Sequence, residues 1–173
     1  MNALVVYESM FGNTATIGER IAASLRARGV EVESGPISEI EPSGTSGFDL
    51  LVVGAPTHAH GMSRTGTRKA AVEDKRNSYP EAQSMPGIRD WLARVPAGEG
   101  HLAAAFDTRF EKPRALTGSA GKGIGKRLGQ NGFRLVAPPE SFFVTTDHAL
   151  VGGEPDHAER WGAALADLAT AGS

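Results

Sequence analysis

Short apolar runs alternate along the chain with stretches whose apolar residues recur every three or four positions. The runs predict strands, and the longer recurrence predicts amphipathic helices. Most of the runs are continuous, as in strands that are covered on both faces of a sheet, whereas Val30 and Val32 alternate with glutamates, as in a half-covered edge strand. Besides that segment, strands are predicted over residues 3–7, 48–53, 101–106 and 141–146.

Four helices are predicted between and after these strands. Ile17, Ile21 and Leu25 form one apolar stripe, which indicates a helix that ends near Gly29. The other helices are predicted over residues 88–94, 118–130 and 156–170. Strands that alternate with helices predict an α/β fold, in which helices cover both faces of a parallel sheet.

Two polar segments interrupt this alternation. Residues 61–87 are predicted to be a long excursion with a turn or two of helix, and residues 107–116 are predicted to be a loop. Long loops in compact domains are usually functional or mobile. The first segment is therefore a candidate for a lid over a site.

Composition narrows the function classes. A chain of 173 residues with 40% hydrophobic content is expected to form one domain, residues 1–173. A net charge of -2 gives no reason to expect nucleic acid or an anionic membrane as partner, and the lack of cysteine excludes disulfides and thiolate nucleophiles. Because neither a leader-like start nor a membrane-length apolar run is seen, we expect a cytoplasmic protein.

The stretch "ESMFGNT", residues 8–14, lies between the first strand and the first helix. A helix N-terminus carries unpaired backbone amides and partial positive charge, so a turn there can hold an anion without a cationic side chain. Gly12 lets the backbone approach closely, and Ser9, Asn13 and Thr14 can add donors that suit a phosphate. The alternative is that Asn13 or Thr14 only caps the helix and Gly12 only makes a turn.

Two other segments follow predicted parallel strands. "APTHAHGMS" comes after the third strand and "DTRF" after the fourth. Open α/β sheets bind ligands outside the carboxyl ends of their strands. The three segments together therefore predict a pocket for a phosphorylated aromatic ligand.

With "ESMFGNT" in this position, the chain resembles the flavodoxin family over essentially its whole length. The resemblance implies a flavodoxin-like three-layer sandwich whose five-stranded parallel sheet has the order 2-1-3-4-5, and it implies FMN as cofactor. By position, the phosphate would be held by Ser9, Met10, Gly12, Asn13 and Thr14. One side of the flavin ring would be flanked by Pro56, Thr57, His58, Ala59, His60 and Gly61, and the other by Asp107, Thr108, Arg109 and Phe110.

The chain departs from the family in the aromatic residue that usually stacks on the flavin. His58, His60 or Phe110 could take that place, because Trp91 and Trp161 fall in predicted helices and are expected in the core. Flavodoxins are also typically strongly acidic, which this chain is not. Six basic residues either surround the site or are ordinary solvated charges: Arg64, Arg68, Lys69, Arg109, Lys112 and Arg114.

Other motif interpretations fail on spacing. "GSAGKGIGKR" lacks the spacing of a Walker phosphate loop, and a helix of small residues packed close to the sheet explains it better. His58 and His60 have no third metal ligand at a recognisable spacing, and Ser119 is not in a nucleophile elbow. No metal site and no acyl chemistry are predicted.

The resemblance implies an electron carrier that exchanges electrons with redox partner proteins. Gly61 is expected beside the ring, where a flip of its peptide would stabilise the one-electron-reduced flavin. Two alternatives stay open. One is an NAD(P)H-dependent FMN reductase of quinones or other small acceptors, with residues 61–87 as its lid. The other is an interaction module that keeps the fold without the flavin.

Overall fold

In the computed structural model, which describes residues 1–58, 61–63 and 87–171, strands and helices alternate. The strands are β1 (Asn2–Tyr7), β2 (Glu31–Pro36), β3 (Leu50–Pro56), β4 (Leu102–Phe110), β5 (Arg134–Leu135) and β6 (Glu140–Val144). The helices are α1 (Asn13–Ala27), α2 (Ile88–Ala93), α3 (Arg114–Thr117), α4 (Ala120–Gln130) and α5 (Glu154–Ala171), with a 3₁₀-helix at Pro42–Gly47.

All strand pairs in the sheet are parallel, in the order β2-β1-β3-β4-β5. Strand β6 pairs with β4 beyond β5, so two short strands share the fifth position of the sheet. The predicted order 2-1-3-4-5 is confirmed. Its fifth strand is divided, because residues 136–139 contain two prolines, which cannot donate backbone hydrogen bonds to a ladder.

Two apolar layers lie on opposite faces of the sheet. Helices α1 and α5 cover one face, where Ile17, Ile21 and Trp161 join the core, while α2 and α4 cover the other face with Trp91 and Ile124. The prediction that both tryptophans belong to the core is confirmed. Since strands β1 and β3 are covered on both sides, their continuous apolar runs are explained.

Close packing requires glycine at two places in these layers. A Cβ on Gly54 of β3 would lie 2.0 Å from the Phe106 ring, and one on Gly162 of α5 would lie 3.0 Å from the carbonyl oxygen of Ile21 in α1. Helix α5 therefore crosses α1 almost backbone to backbone. Among the helices of the described ranges, none is long and apolar enough to cross a bilayer.

Candidate functional site

The 8–14 turn connects β1 to α1 at the carboxyl edge of the sheet. Gly12 precedes the helix with φ 86° and ψ -15°, in the left-handed region that glycine adopts without strain. The backbone amides of residues 10–14 have no acceptor among the residues that the structure describes. Consecutive free amides at the positive end of a helix are a typical anion-binding arrangement.

Side chains of the 8–14 turn form bonds within the protein. The Ser9 hydroxyl accepts a hydrogen bond from the Ala15 amide at 3.2 Å, and the Thr14 and Thr108 hydroxyls are 2.8 Å apart. Asn13 Nδ2 donates to the carbonyl oxygen of His148 at 2.6 Å. Met10 is only 1% exposed. These side chains shape the turn, and the backbone amides are left to meet an anion.

The segment after β3 is fixed at its base. The Thr57 amide donates to the Thr108 carbonyl oxygen at 2.9 Å, and the His58 and Gly61 backbones exchange hydrogen bonds of 2.7 and 2.9 Å. Ala59 and His60, which the sequence places in the site, lie outside the described residues. Because the Gly61 carbonyl already accepts from His58, the expected peptide flip at Gly61 has to break that hydrogen bond.

The prediction that residues 107–116 form a loop is wrong for most of the segment. Residues 107–110 continue β4, because Phe106–Phe110 pairs with Glu140–Val144 of β6, and residues 114–117 form α3. The polar residues Asp107, Thr108 and Arg109 indicated a loop. They lie in a buried strand because each side chain finds partners inside the protein.

The Asp107 carboxylate is fully buried beside the N-terminus of α4. Its Oδ2 accepts hydrogen bonds from the Ser119 hydroxyl at 2.6 Å, the Gly121 amide at 2.9 Å and the Thr57 hydroxyl at 3.1 Å. Thr57 Oγ1 in turn accepts from the Ala120 amide at 2.9 Å. Asp107 therefore ties the segment after β3 to α4, and Ser119 serves as the helix cap.

Arg109 is also buried, so it does not join a basic group at the surface. Its Nε donates to the Ser141 hydroxyl at 3.1 Å, its Nη1 donates to the Lys112 carbonyl oxygen at 2.7 Å, and its guanidinium lies 4.9 Å from the Phe143 ring centroid. Phe110, the next residue, is 37% exposed. Of the four residues predicted on this side of the ring, Phe110 has the most accessible side chain.

Three further residues at this edge of the sheet were not among the predicted binding residues, although Glu8 and Phe11 belong to the 8–14 turn. Glu8 is buried, and its Oε2 accepts from the Ser63 hydroxyl at 2.9 Å and the Ile88 amide at 2.8 Å. Phe11 and His148 stack on each other with ring centroids 4.1 Å apart. The position of His148, soon after the fifth predicted strand, was a signal that could have placed it here.

The fold is shared with solved structures of low sequence identity. A flavodoxin from the domain Archaea matches with 18% identity, a TM-score of 0.68 and coverage of 98% of this chain and 99% of that one. Oxidised flavodoxin 1 from Bacillus cereus matches with 19% identity, a TM-score of 0.69 and coverage of 96% of this chain and 98% of that one. Rubredoxin oxygen:oxidoreductase from Desulfovibrio gigas matches with 16% identity and a TM-score of 0.63. The match covers 98% of this chain and 36% of that one. No protein-family model matches the chain.

Proposed function

Because the chain has the flavodoxin-like fold, we propose that it binds FMN and carries electrons between redox partner proteins. A bound flavin supplies reversible uptake and release of electrons, and the protein sets how easily this happens through the groups around it. The residues of this chain would bind the phosphate, orient the ring and shield it from water.

The observation that carries the proposal is the row of free amides in the 8–14 turn. The backbone amides of residues 10–14 have no acceptor among the described residues. Gly12 adopts the left-handed conformation immediately before α1. A phosphate dianion accepts several hydrogen bonds and is favoured at the positive end of a helix. The turn fits the phosphate of FMN, with the backbone of Met10, Gly12, Asn13 and Thr14 as its donors.

The ring would lie between the ends of β3 and β4. Pro56, Thr57, His58 and Gly61 would flank it on one side, and Ala59 and His60 stay predictions there. On the other side Phe110 would offer its exposed ring, while Asp107, Thr108 and Arg109 would act through the backbone, because their side chains are engaged inside the protein. The low exposure of Trp91 and Trp161 supports His58, His60 or Phe110 as the stacking residue.

A fluorescence titration of FMN with the apo-protein, beside riboflavin, tests the phosphate site. We expect FMN fluorescence to be lost at stoichiometric protein and riboflavin to bind far more weakly, since riboflavin lacks the phosphate. Equal binding of the two flavins would contradict a phosphate site in the 8–14 turn.

Gly12→Ala is the informative variant, and Gly29→Ala is its matched control. Both glycines have positive φ, 86° and 79°, and an added Cβ would meet nothing within 4 Å at either position. Each change should cost about 1–2 kcal/mol of folding free energy because alanine disfavours the left-handed region. Only Gly12 lies at the N-terminus of α1, so only Gly12→Ala should weaken FMN binding, by roughly tenfold or more.

Anaerobic mixing of the FMN-loaded protein with NADPH separates a carrier from a reductase. A carrier keeps its oxidised flavin absorbance until a separate reductase is added. Rapid bleaching by NADPH alone would favour the reductase alternative, whose expected lid over residues 61–87 lies mostly outside the described residues.

A further inference from the structure

The loop of residues 145–149, which follows β6, contacts the 8–14 turn at His148. The His148 imidazole stacks on Phe11, with ring centroids 4.1 Å apart and planes inclined by 18°. The carbonyl oxygen of His148 accepts the 2.6 Å hydrogen bond from Asn13 Nδ2. His148 thus contacts both sequence neighbours of Gly12: its ring stacks on Phe11, and its backbone carbonyl binds Asn13. Phe110 lies near the same imidazole, at a centroid distance of 5.8 Å.

The backbone of His148 adopts an uncommon conformation, with φ 59°. The left-handed region costs a residue other than glycine about 1–2 kcal/mol. Two hydrogen bonds fix this turn, from the Thr145 amide to the Ala149 carbonyl oxygen at 2.8 Å and from the His148 amide to the Thr145 carbonyl oxygen at 3.0 Å. Such strain persists only where the surroundings impose it, and it is concentrated at functional sites.

The stack on His148 supports the position of the Phe11 ring. It belongs to neither core cluster of the described residues, and its one stacked ring partner among them is His148. An anion that binds amides 10–14 needs them to converge, and any freedom of the turn around Gly12 would be lost on binding at a cost in free energy. Contacts that hold Phe11 and Asn13 beforehand reduce that cost.

The geometry points to His148 as a positioning residue that pre-organises the 8–14 turn for a phosphate group. This inference rests on the proposed function and adds a residue from a fourth segment to the predicted site. His148 acts through Phe11 and Asn13. Its loss should therefore weaken the part of ligand affinity that comes from the phosphate and leave the contribution of the ring unchanged.

Three variants separate the parts of this role. His148→Gly keeps the backbone carbonyl and suits the positive φ, but it removes the ring that stacks on Phe11. His148→Phe retains a flat ring that can stack on Phe11, so it should keep the FMN affinity of the wild type. His101→Ala is the control, because His101 is exposed and precedes β4 at the opposite edge of the sheet.

We expect His148→Gly to bind FMN roughly 3- to 10-fold more weakly, which corresponds to the loss of one stacked aromatic pair. Riboflavin affinity should not change, and His148→Phe and His101→Ala should bind FMN like the wild type. Equal weakening of FMN and riboflavin, or unchanged FMN binding in His148→Gly, would overturn the inference. Urea unfolding of each variant checks that the fold is kept.

A second measurement works without a flavin. Inorganic phosphate is titrated into the ¹⁵N-labelled protein while the amide signals of residues 10–14 are followed by NMR. Phosphate-dependent shifts that weaken in His148→Gly support the inference even if FMN fails to bind, in which case only the proposed function fails. Absence of shifts in the wild-type protein, or equal shifts in both proteins, would overturn the inference.

Discussion

At the scale of single residues, Asp107 shows how a side chain that resembles a ligand group can serve the architecture. It follows an apolar run, in a position where ligand-binding residues are common. Its Oδ2 atom instead accepts three hydrogen bonds from Thr57, Ser119 and Gly121, and an added Cβ on Gly121 would lie 3.2 Å from the backbone of Phe106. The carboxylate thus occupies the anion position at the N-terminus of α4.

Asp107→Asn should lower the free energy of unfolding by about 2 kcal/mol. Hydrogen bonds to a charged oxygen become bonds to a neutral one, and a buried amide group takes the place of Oδ1, which has no partner among the described residues. Urea unfolding followed by circular dichroism measures the change. Asp147→Asn, at an exposed position, should leave stability within about 0.5 kcal/mol. Stability equal to or above the wild type would mean that burying the charge costs more than its hydrogen bonds contribute.

The sequence permits a prediction of individual site residues only where a local pattern marks them. Gly12 and its neighbours stand between a strand and a helix, so their position at a helix N-terminus could be predicted, and the structure places them there. No local pattern marks the residues that Glu8 and His148 bind. Their partners Ile88 and Asn13 are 80 and 135 positions away in sequence, and these pairings follow only from the fold.

At the scale of elements, periodicity predicted which segments are strands and helices better than where they end. Strand β4 runs four residues beyond its predicted end at Phe106, because β6 offers it a partner as far as Phe110. Strand β5 was missed, since the two residues of Arg134–Leu135 are too few to show a period. The edge position of β2 was predicted from its alternating glutamates, and β2 is indeed at the edge.

The crossing of α1 and α5 depends on Gly162. A Cβ there would lie 3.0 Å from both the Ile21 carbonyl oxygen and the Ser24 Cβ. Gly162→Ala should lower stability by roughly 1–3 kcal/mol, because the helices must separate and this outweighs the gain of about 1 kcal/mol in helix propensity.

Gly129→Ala in α4 is the matched control for Gly162→Ala. Its Cβ would meet nothing within 4 Å, so the propensity gain is unopposed and stability should rise by up to about 1 kcal/mol. Chemical denaturation compares the two variants. A Gly162→Ala protein as stable as Gly129→Ala would contradict the close crossing.

At the scale of the whole molecule, the proposed FMN binding should be linked to global stability. A ligand that binds the folded chain and not the unfolded chain stabilises it by about 2.7 kcal/mol when its free concentration is 100 times Kd. For a protein of this size, the midpoint of thermal unfolding should rise by roughly 5–10 °C. Differential scanning calorimetry with FMN tests this, and riboflavin at the same concentration should give a smaller rise. No rise at saturating FMN would contradict binding to the folded state.

The packing of α5 on α1 has a consequence for how the chain folds during synthesis. The ion pairs Arg20–Glu159 and Arg28–Asp167 each join residues that are 139 positions apart. The part of α1 that packs on α5 therefore stays uncovered until the ribosome has released residues 154–171, several seconds later at about 5–20 residues per second. We infer that the nascent chain is most prone to aggregation just before α5 emerges.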